Sequence, residues 1–331
     1  MYYKANIDKL QNLRNLVTEE LEEVNKLIST SLQGKEELIL LLTNHLMSAG
    51  GKRLRPILAL AAAKLCNYLG SSHITIAAAI EFIHAATLLH DDVVDESNVR
   101  RGVPTANSTW GNKVSILVGD YFLGQAFRWL VDSKSIKSLE ILSRTSTIIA
   151  EGEVMQLDNI NNVILSVERY LDIIRSKTAE LFAASCQVGA VIADRSVEEE
   201  NALYNFGLNL GIAFQIVDDI LDYNSTQKQL GKVIGDDFRE GKMTLPAIIA
   251  YNVGTEEEKS FWYRNIVQLD QQSSDLDIAV GLIHKYNGIN LSIEYAKLYI
   301  NNSCNNLDIF QDSAMKFALI ELSRNSLERL Y

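Results

Sequence analysis

Residues Thr75 to Ser97 read TIAAAIEFIHAATLLHDDVVDES. The run is apolar and alanine-rich for most of its length and predicts one long helix closed by three acids, Asp91, Asp92 and Asp95. Residues four apart in a helix share a face, so Asp91 and Asp95 point the same way and can grip one cation, with Asp92 beside them. A helix ending near Ser97 sets all three carboxylates at its negative pole, where each is disfavoured by about 0.3–1 kcal/mol. Something positive has to offset them. The stretch FQIVDDILDY repeats the arrangement with Asp218, Asp219 and Asp222, again closing an apolar helix. One acidic cluster reads most simply as a solvated helix end. Two copies of an unfavourable arrangement point to a shared ligand.

The rest of the composition narrows the setting. The chain has 331 residues and only three prolines, where average usage would give roughly sixteen. Pro56, Pro104 and Pro246 all fall at helix starts or loops, so long uninterrupted helices are expected. A net charge of −11 argues against nucleic acid as a partner, because phosphate contacts need a basic face. Cys66, Cys186 and Cys304 are odd in number and widely spaced, which indicates neither a disulfide framework nor a zinc site. A reducing, cytoplasmic setting fits them. The N-terminal MYYKANIDKLQNLRN lacks the pattern of a secretory signal. The most apolar segment, Ile74 to His90, is interrupted by Glu81 and His84 and reads as too short to span a bilayer.

Outward from the central helix, apolar residues recur at helical spacing from Ile7 to Leu32 and from Glu36 to Met47, with a turn at SAGG. The basic turn GKRLRP follows, carrying Lys52, Arg53 and Arg55, and then an alanine-rich helix from Ile57 to Tyr68. Beyond the acids, Asn98 to Asn112 reads as a loop with Arg100 and Arg101. Helices are predicted over Val114–Val131, Ser135–Ile160, Ser166–Ala193 and Glu198–Asp222. In the last of these Gly207 and Gly211 share a face on which another backbone or a ligand can approach. Tyr223 to Thr244 reads as a glycine-rich charged loop, and Leu245 to Leu330 as shorter helices. No strand alternation persists and no linker divides the chain, so it reads as one all-α domain.

Carboxylates that recruit hard divalent cations make a site for a polyanion, since magnesium is commonly held by one or two carboxylates together with substrate phosphates. Diphosphate is the natural guest. Lys52 and Arg55 before the central helix, Arg100 and Arg101 after it, and Lys232 and Lys242 in the second loop supply complementary donors. Each alone reads as a solvated surface charge; as a group they adjoin both acidic clusters.

The motifs GKRLRP, LLHDDVVDESNVRRG, GEVMQL, Lys177-Thr178 in RSKTAELF, FQIVDDILDY and GKVIGDDFREGKMTLP together resemble the trans-isoprenyl diphosphate synthases. The resemblance runs by motif from Gly51 to Pro246 and is nearest to the bacterial long-chain polyprenyl synthases of the octaprenyl and decaprenyl type. It implies the isoprenoid synthase fold, a single large helical bundle around a central cavity. Asp91, Asp92 and Asp95 match the first aspartate-rich motif, and Asp218, Asp219 and Asp222 the second; together they would hold two to three Mg2+ ions. Lys52, Arg55, His84 and Arg101 match residues that bind isopentenyl diphosphate. Arg100, Lys177, Lys232 and Lys242 match those that hold the allylic diphosphate, and Thr178 and Gln215 match polar groups near the ionising carbon. Val233 departs from the pattern, standing where related sequences often have proline.

The implied reaction needs charge stabilisation more than a nucleophile. Breaking the allylic carbon–oxygen bond leaves negative charge on diphosphate and positive charge on carbon, which preorganised cations favour. The growing isoprenoid would need an apolar tunnel below the metal site. Ala86 and Thr87 are small where short-chain members commonly carry an aromatic, so an open tunnel is implied. Phe82, Ile83, Phe127 and Leu130 are candidates for its deeper wall or floor, with ordinary core packing as their plainer reading. The resemblance further implies a homodimer, a product destined for ubiquinone-type side chains, and a peripheral membrane contact for product release. A geranylgeranyl diphosphate synthase and a non-catalytic regulatory subunit are the rival readings; intact aspartate motifs weigh against the second.

Overall fold

The computed structural model describes residues 10–48, 51–100, 102–224 and 235–328. Leading up to the first acidic cluster, after a helical stretch over residues 10–15, come α1 (Thr18–Ser31), α2 (Glu37–Ser48), α3 (Leu54–Leu65) and α4 (Ser72–Val94). In α1, Leu21, Val24 and Ile28 are buried at the spacing that makes one apolar stripe. In α3, every residue from Pro56 to Ala63 is buried, the signature of a helix enclosed on all sides. The central helix α4 begins three residues earlier than Thr75 and its last helical residue is Val94, so Asp95 is its cap and not an interior residue. Glu96 turns the chain away with a φ of +50°.

The segment expected to be loop is partly ordered. A two-residue antiparallel ladder pairs β1 (Val99–Arg100) with β2 (Val103–Pro104), and a short α5 (Ala106–Trp110) follows. These corrections to an all-helical reading are local, and strands of two residues leave no periodicity to detect. Then come α6 (Asn112–Asp132) and α7 (Ile136–Leu157). The Ser135 hydroxyl caps α7 by accepting from the Ser138 N–H.

The helix expected over Ser166–Ala193 is two helices, α8 (Val167–Ile174) and α9 (Glu180–Ile192), joined by a π-helical turn over Arg175–Ala179. It is followed by α10 (Val197–Asn224), which carries the second acidic cluster, and by α11 (Asp236–Arg239), α12 (Leu245–Val253) and α13 (Glu256–Trp262). A second π turn, Tyr263–Val267, precedes α14 (Asp275–Lys285), α15 (Gly288–Asn305) and α16 (Ala314–Glu328).

Helix α4 packs on α3 and α6, while α9 packs on α3 and α10. Two large apolar cores result, and both are built on the segment from Ala179 through α9 and on α10. Leu181, Phe182, Leu203 and Phe206 belong to the first core, and Ala179, Ala183, Leu208 and Ile212 to the second. At 23 residues α4 is long and apolar enough to cross a membrane, longer than the sequence stretch suggested. Its buried positions include Ala77 to Ile80, Phe82 and Ile83, so its apolar face is spent on protein contacts.

The close approach expected at Gly207 and Gly211 is backbone against backbone. A Cβ at Gly207 would stand 2.8 Å from the Ala183 Cα, and one at Gly211 would stand 2.6 Å from the Ala179 Cα. The two helices that share both cores are thus in main-chain contact at the end of the π turn. Replacing Gly211 by Ala should destabilise the protein by about 1–3 kcal/mol through overpacking. Gly281→Ala, on an exposed turn of α14 with nothing within 4 Å of the added atom, should stabilise by about 0.5–1 kcal/mol. Urea unfolding midpoints of the two variants, moving in opposite directions, check the packing.

Candidate active site

The three acids of α4 do not act as one cluster. Asp95 remains one turn from Asp91, its N–H donating to the Asp91 carbonyl at 2.8 Å. Asp92 turns inward, 1% exposed, and accepts from the Arg100 Nε at 2.8 Å. The Asn107 amide, donating to the Asp92 carbonyl at 3.0 Å, ties the same helix end to α5. Arg100 is therefore a partner of Asp92 in this structure, and the β1–β2 ladder sets it there.

Two lysines face the other acids. Lys242 lies 3.3 Å from an Asp95 oxygen and 2.6 Å from Glu240. Burial would lower its ammonium pKa, but Asp95 and Glu240 outweigh burial and hold it above the ordinary lysine value. Lys177 donates to Glu153 at 2.8 Å. Burial pushes the Asp91 carboxyl up to about 7 against the pull of Lys177, with Glu153 and Asp95 adding to the rise. Glu153 belongs to the GEVMQL motif, but nothing in its spacing marked it for a role. Gly152 beside it explains its position, since a Cβ there would be 2.6 Å from the Lys177 nitrogen. Helix α7 crosses the π turn at that glycine and delivers Glu153 to Lys177.

The π turn contains both Lys177 and Thr178. Such turns widen a helix by one residue and often mark functional positions. Thr178 donates to the Gln215 Oε1 at 3.0 Å, and the Gln215 amide donates to the Asp219 Oδ1 at 2.8 Å. The other Asp219 oxygen accepts from the Tyr170 hydroxyl at 2.6 Å. Asp219 is 4% exposed, and burial pushes its carboxyl up to about 7 although both hydrogen bonds pull the other way. Tyr170 carried no signal in the sequence, where it looks like one more apolar position of an amphipathic helix.

Asp222 is also buried, and it accepts from the N–H groups of Asp236 and Asp237, at 3.3 and 3.1 Å. It thereby caps α11. Asp237 is half-buried, and desolvation followed by Asp219 and Asp222 holds its carboxyl well above the usual range. The Lys242 N–H donates to the Asp237 carbonyl at 2.8 Å, so the second cluster is linked through the α11 turn to the lysine that touches Asp95. Asp218 is the most exposed member of its trio.

The basic turn before α3 is split between two tasks. Arg53, in the left-handed region at φ +49°, pairs with Glu81 of α4 at 3.2 Å. The Arg55 guanidinium donates to the His84 Nε2 at 3.0 Å and stacks 4.5 Å over the Phe182 ring. The structure thus joins Arg55 and His84 from α3 and α4, with Lys52 exposed at the turn's edge. Arg101, Lys232 and Val233 lie outside the described residues.

One to three turns before Asp91, Ala86 is buried and the Thr87 hydroxyl bonds back to the His84 carbonyl at 2.8 Å. Phe82 stacks against Phe122 and Trp129, with ring centroids 4.5 and 4.7 Å away. Ile83 and Leu130 are buried as well, and Phe127 is half-buried.

Among the described residues no group of three or more histidine, cysteine or carboxylate side chains closes around one point. Magnesium takes few protein carboxylates and completes its shell with water and phosphate oxygens. Asp91 and Asp95, one turn apart, are the carboxylates that would meet such an ion on α4, and a bound cation would offset the burial that raises the Asp91 carboxyl.

Residues 36–283 match the family described as Polyprenyl synthetase. The chain is 40% identical over 320 residues to octaprenyl diphosphate synthase of Escherichia coli, covering 97% of this chain and 99% of that one. Its fold superposes with a TM-score of 0.93 on a decaprenyl diphosphate synthase from Rhodobacter capsulatus, at 43% identity and covering 97% and 99% of the two chains. The same TM-score and identity relate it to a polyprenyl synthase from Caulobacter crescentus complexed with calcium and isoprenyl diphosphate, covering 96% and 97%.

The raised carboxyls set a pH dependence. A carboxyl at about 7 in the folded chain, against 3.8 ordinarily, contributes stability that is full below the ordinary value and lost as pH rises through the folded one. Metal-free protein should therefore melt at a lower temperature at pH 8 than at pH 5. Magnesium with inorganic diphosphate should recover more of the melting temperature at pH 8. Asp91→Asn should flatten part of the slope, and differential scanning calorimetry measures all three.

Proposed function

The chain belongs to the polyprenyl synthetase family and is a prenyltransferase; from that premise we propose that it makes a long-chain all-trans polyprenyl diphosphate, condensing isopentenyl diphosphate repeatedly onto an allylic diphosphate. The observation that carries this reading is that the lysines beside the acidic end of α4 rest on carboxylates. Lys177 sits on Glu153 at 2.8 Å and Lys242 on Asp95 at 3.3 Å. A diphosphate entering between the helices offers these ammonium groups oxygens of higher charge, and the carboxylates they leave gain cations in exchange.

Asp91 and Asp95 on α4 and Asp218 on α10 would hold two to three Mg2+ ions, which would neutralise the charge that develops on the leaving diphosphate. The inward turn of Asp92, Asp219 and Asp222 supports a different role for these three, that of anchoring the helix ends. Lys177 and Lys242, with Arg100 and Lys232, grip the allylic diphosphate. Lys52, Arg55, His84 and Arg101 bind isopentenyl diphosphate, where the Phe182 face orients the planar Arg55 fork. The proton lost on condensation passes to the departing diphosphate, so no histidine base is needed.

For product length we take Ala86 and Thr87 as the open mouth of the tunnel and the Phe82–Phe122–Trp129 stack as the nearest rigid obstacle beyond it. We also take the chain to be a homodimer with a product that leaves at a membrane surface and serves a quinone side chain. Support for a dimer face comes from α6, which leaves Leu117 67% and Val131 61% exposed.

Purified protein given magnesium, farnesyl diphosphate and labelled isopentenyl diphosphate should yield products of forty to fifty carbons by chromatography, the length range of the relatives' products. Products ending at twenty carbons would refute the long-chain reading in favour of a geranylgeranyl synthase. Asp91→Ala should lower kcat by about 10²–10³ with the helical circular dichroism intact. Ala86→Tyr should shorten the product, because a phenol ring in that buried position fills the passage.

A further inference from the structure

We propose that Tyr170 is a positioning residue that sets the direction of a hydrogen-bond chain running through Asp219 and Gln215 to Thr178, so that Thr178 offers the reacting carbon lone pairs and not a proton. This deepens the proposed prenyl transfer and rests on it.

The chain has four members and, with Asp219 ionised and accepting at both oxygens, one polarity. Tyr170, 3% exposed in the first turn of α8, donates its only hydroxyl hydrogen to the Asp219 Oδ2 at 2.6 Å. The Gln215 nitrogen donates to the remaining Asp219 oxygen at 2.8 Å. That leaves Gln215 its carbonyl oxygen, which accepts from the Thr178 hydroxyl at 3.0 Å. A threonine hydroxyl has one hydrogen and two lone pairs. With the hydrogen committed to Gln215, only the lone pairs remain for a ligand. Lone pairs suit a carbon that becomes positive as the allylic bond breaks and do not suit donation to diphosphate. Without the Tyr170 hydroxyl, a buried carboxylate oxygen would be left unsatisfied, the Asp219 carboxylate would be free to rotate, and the Gln215–Thr178 bond that it orients would be lost, releasing the Thr178 hydrogen toward the diphosphate.

The π turn is what puts both ends of the chain on α10. Gln215 and Asp219 are four apart and share a face of that helix. Tyr170 and Thr178 are eight apart, which in an unbroken α-helix would rotate them about 80° from each other. The extra residue of a π turn removes about 100° of that rotation, leaving them within about 20° of one face. The helix irregularity at Arg175–Ala179 therefore aligns Thr178 with Gln215 at the point where Tyr170 meets Asp219.

The test is a double-mutant cycle on turnover together with a metal titration. Tyr170→Phe should lower kcat about tenfold with both KM values within twofold. In a Thr178→Val background the same change should cost less than twofold, because the group it acts through is gone. Asp219→Asn gives an independent arm that keeps the side-chain shape: the amide can accept from Tyr170 and donate to Gln215, reversing the chain, so it should also lower kcat about tenfold and lose that effect in the Thr178→Val background. Mn2+ affinity, read by electron paramagnetic resonance with inorganic diphosphate present, should stay within twofold in both variants. Penalties that multiply in the double variants, a rise in KM at unchanged kcat, or a tenfold loss of Mn2+ affinity would each overturn the proposal in an active enzyme. A wild-type chain that makes no polyprenyl product would remove the reading and the proposal together.

Discussion

Negative charge gathered where a helix already presents its negative pole is the constraint around which this structure is arranged. Helix α4 carries three acids in its last turn and cap, and nothing basic lies in that turn. The chain meets the problem from elsewhere in sequence: Arg100 on Asp92, Lys177 near Asp91, Lys242 on Asp95. These are pairs in a half-buried setting, where a charge that loses its partner is strongly destabilising. The arrangement is therefore stable and exchangeable at once. In the proposed function, an incoming polyanion with cations would replace each carboxylate–lysine contact with a better one.

The exchange works only if the lysines and acids sit on elements that do not move apart, and main-chain packing secures this. Gly152, Gly207 and Gly211 each hold a neighbouring backbone where a Cβ would have to stand. All three contacts fall on the segment from Arg175 to α9, and two of them bracket the π turn that carries Lys177 and Thr178. The irregular turn is thus clamped by α7 on one side and α10 on the other. A strained or irregular backbone persists at a functional position when its surroundings over-determine it, and here the surroundings are two helices in direct backbone contact.

Much of this was legible in the residues. The two DDxxD runs, the scarcity of proline and the apolar periodicity give an all-α fold with acidic helix ends, and the basic turns led to the proposed polyanion site. The paired glycines of α10 announced a close neighbour. Other features left no mark. Asp92 and Asp95 look equivalent in a helical projection, yet one is buried on Arg100 and the other meets Lys242, because the helix ends at Val94 and the chain turns at Glu96. Tyr170 is indistinguishable by spacing from a core aromatic. The π turn also left no mark, the whole of Ser166–Ala193 reading as one helix.

The sequence by itself determined which side chains could do chemistry and on which helix each would lie, because helical period and local charge act over four or five residues. The tertiary structure decided which of them meet. Lys242 and Asp95 are 147 residues apart and touch, and Thr178 reaches Gln215 across 37. Contacts of that kind depend on crossing points set by glycines and on the rotation added by one extra residue in a turn. Neither is encoded in any single window of sequence, and both follow from how closely two backbones can approach.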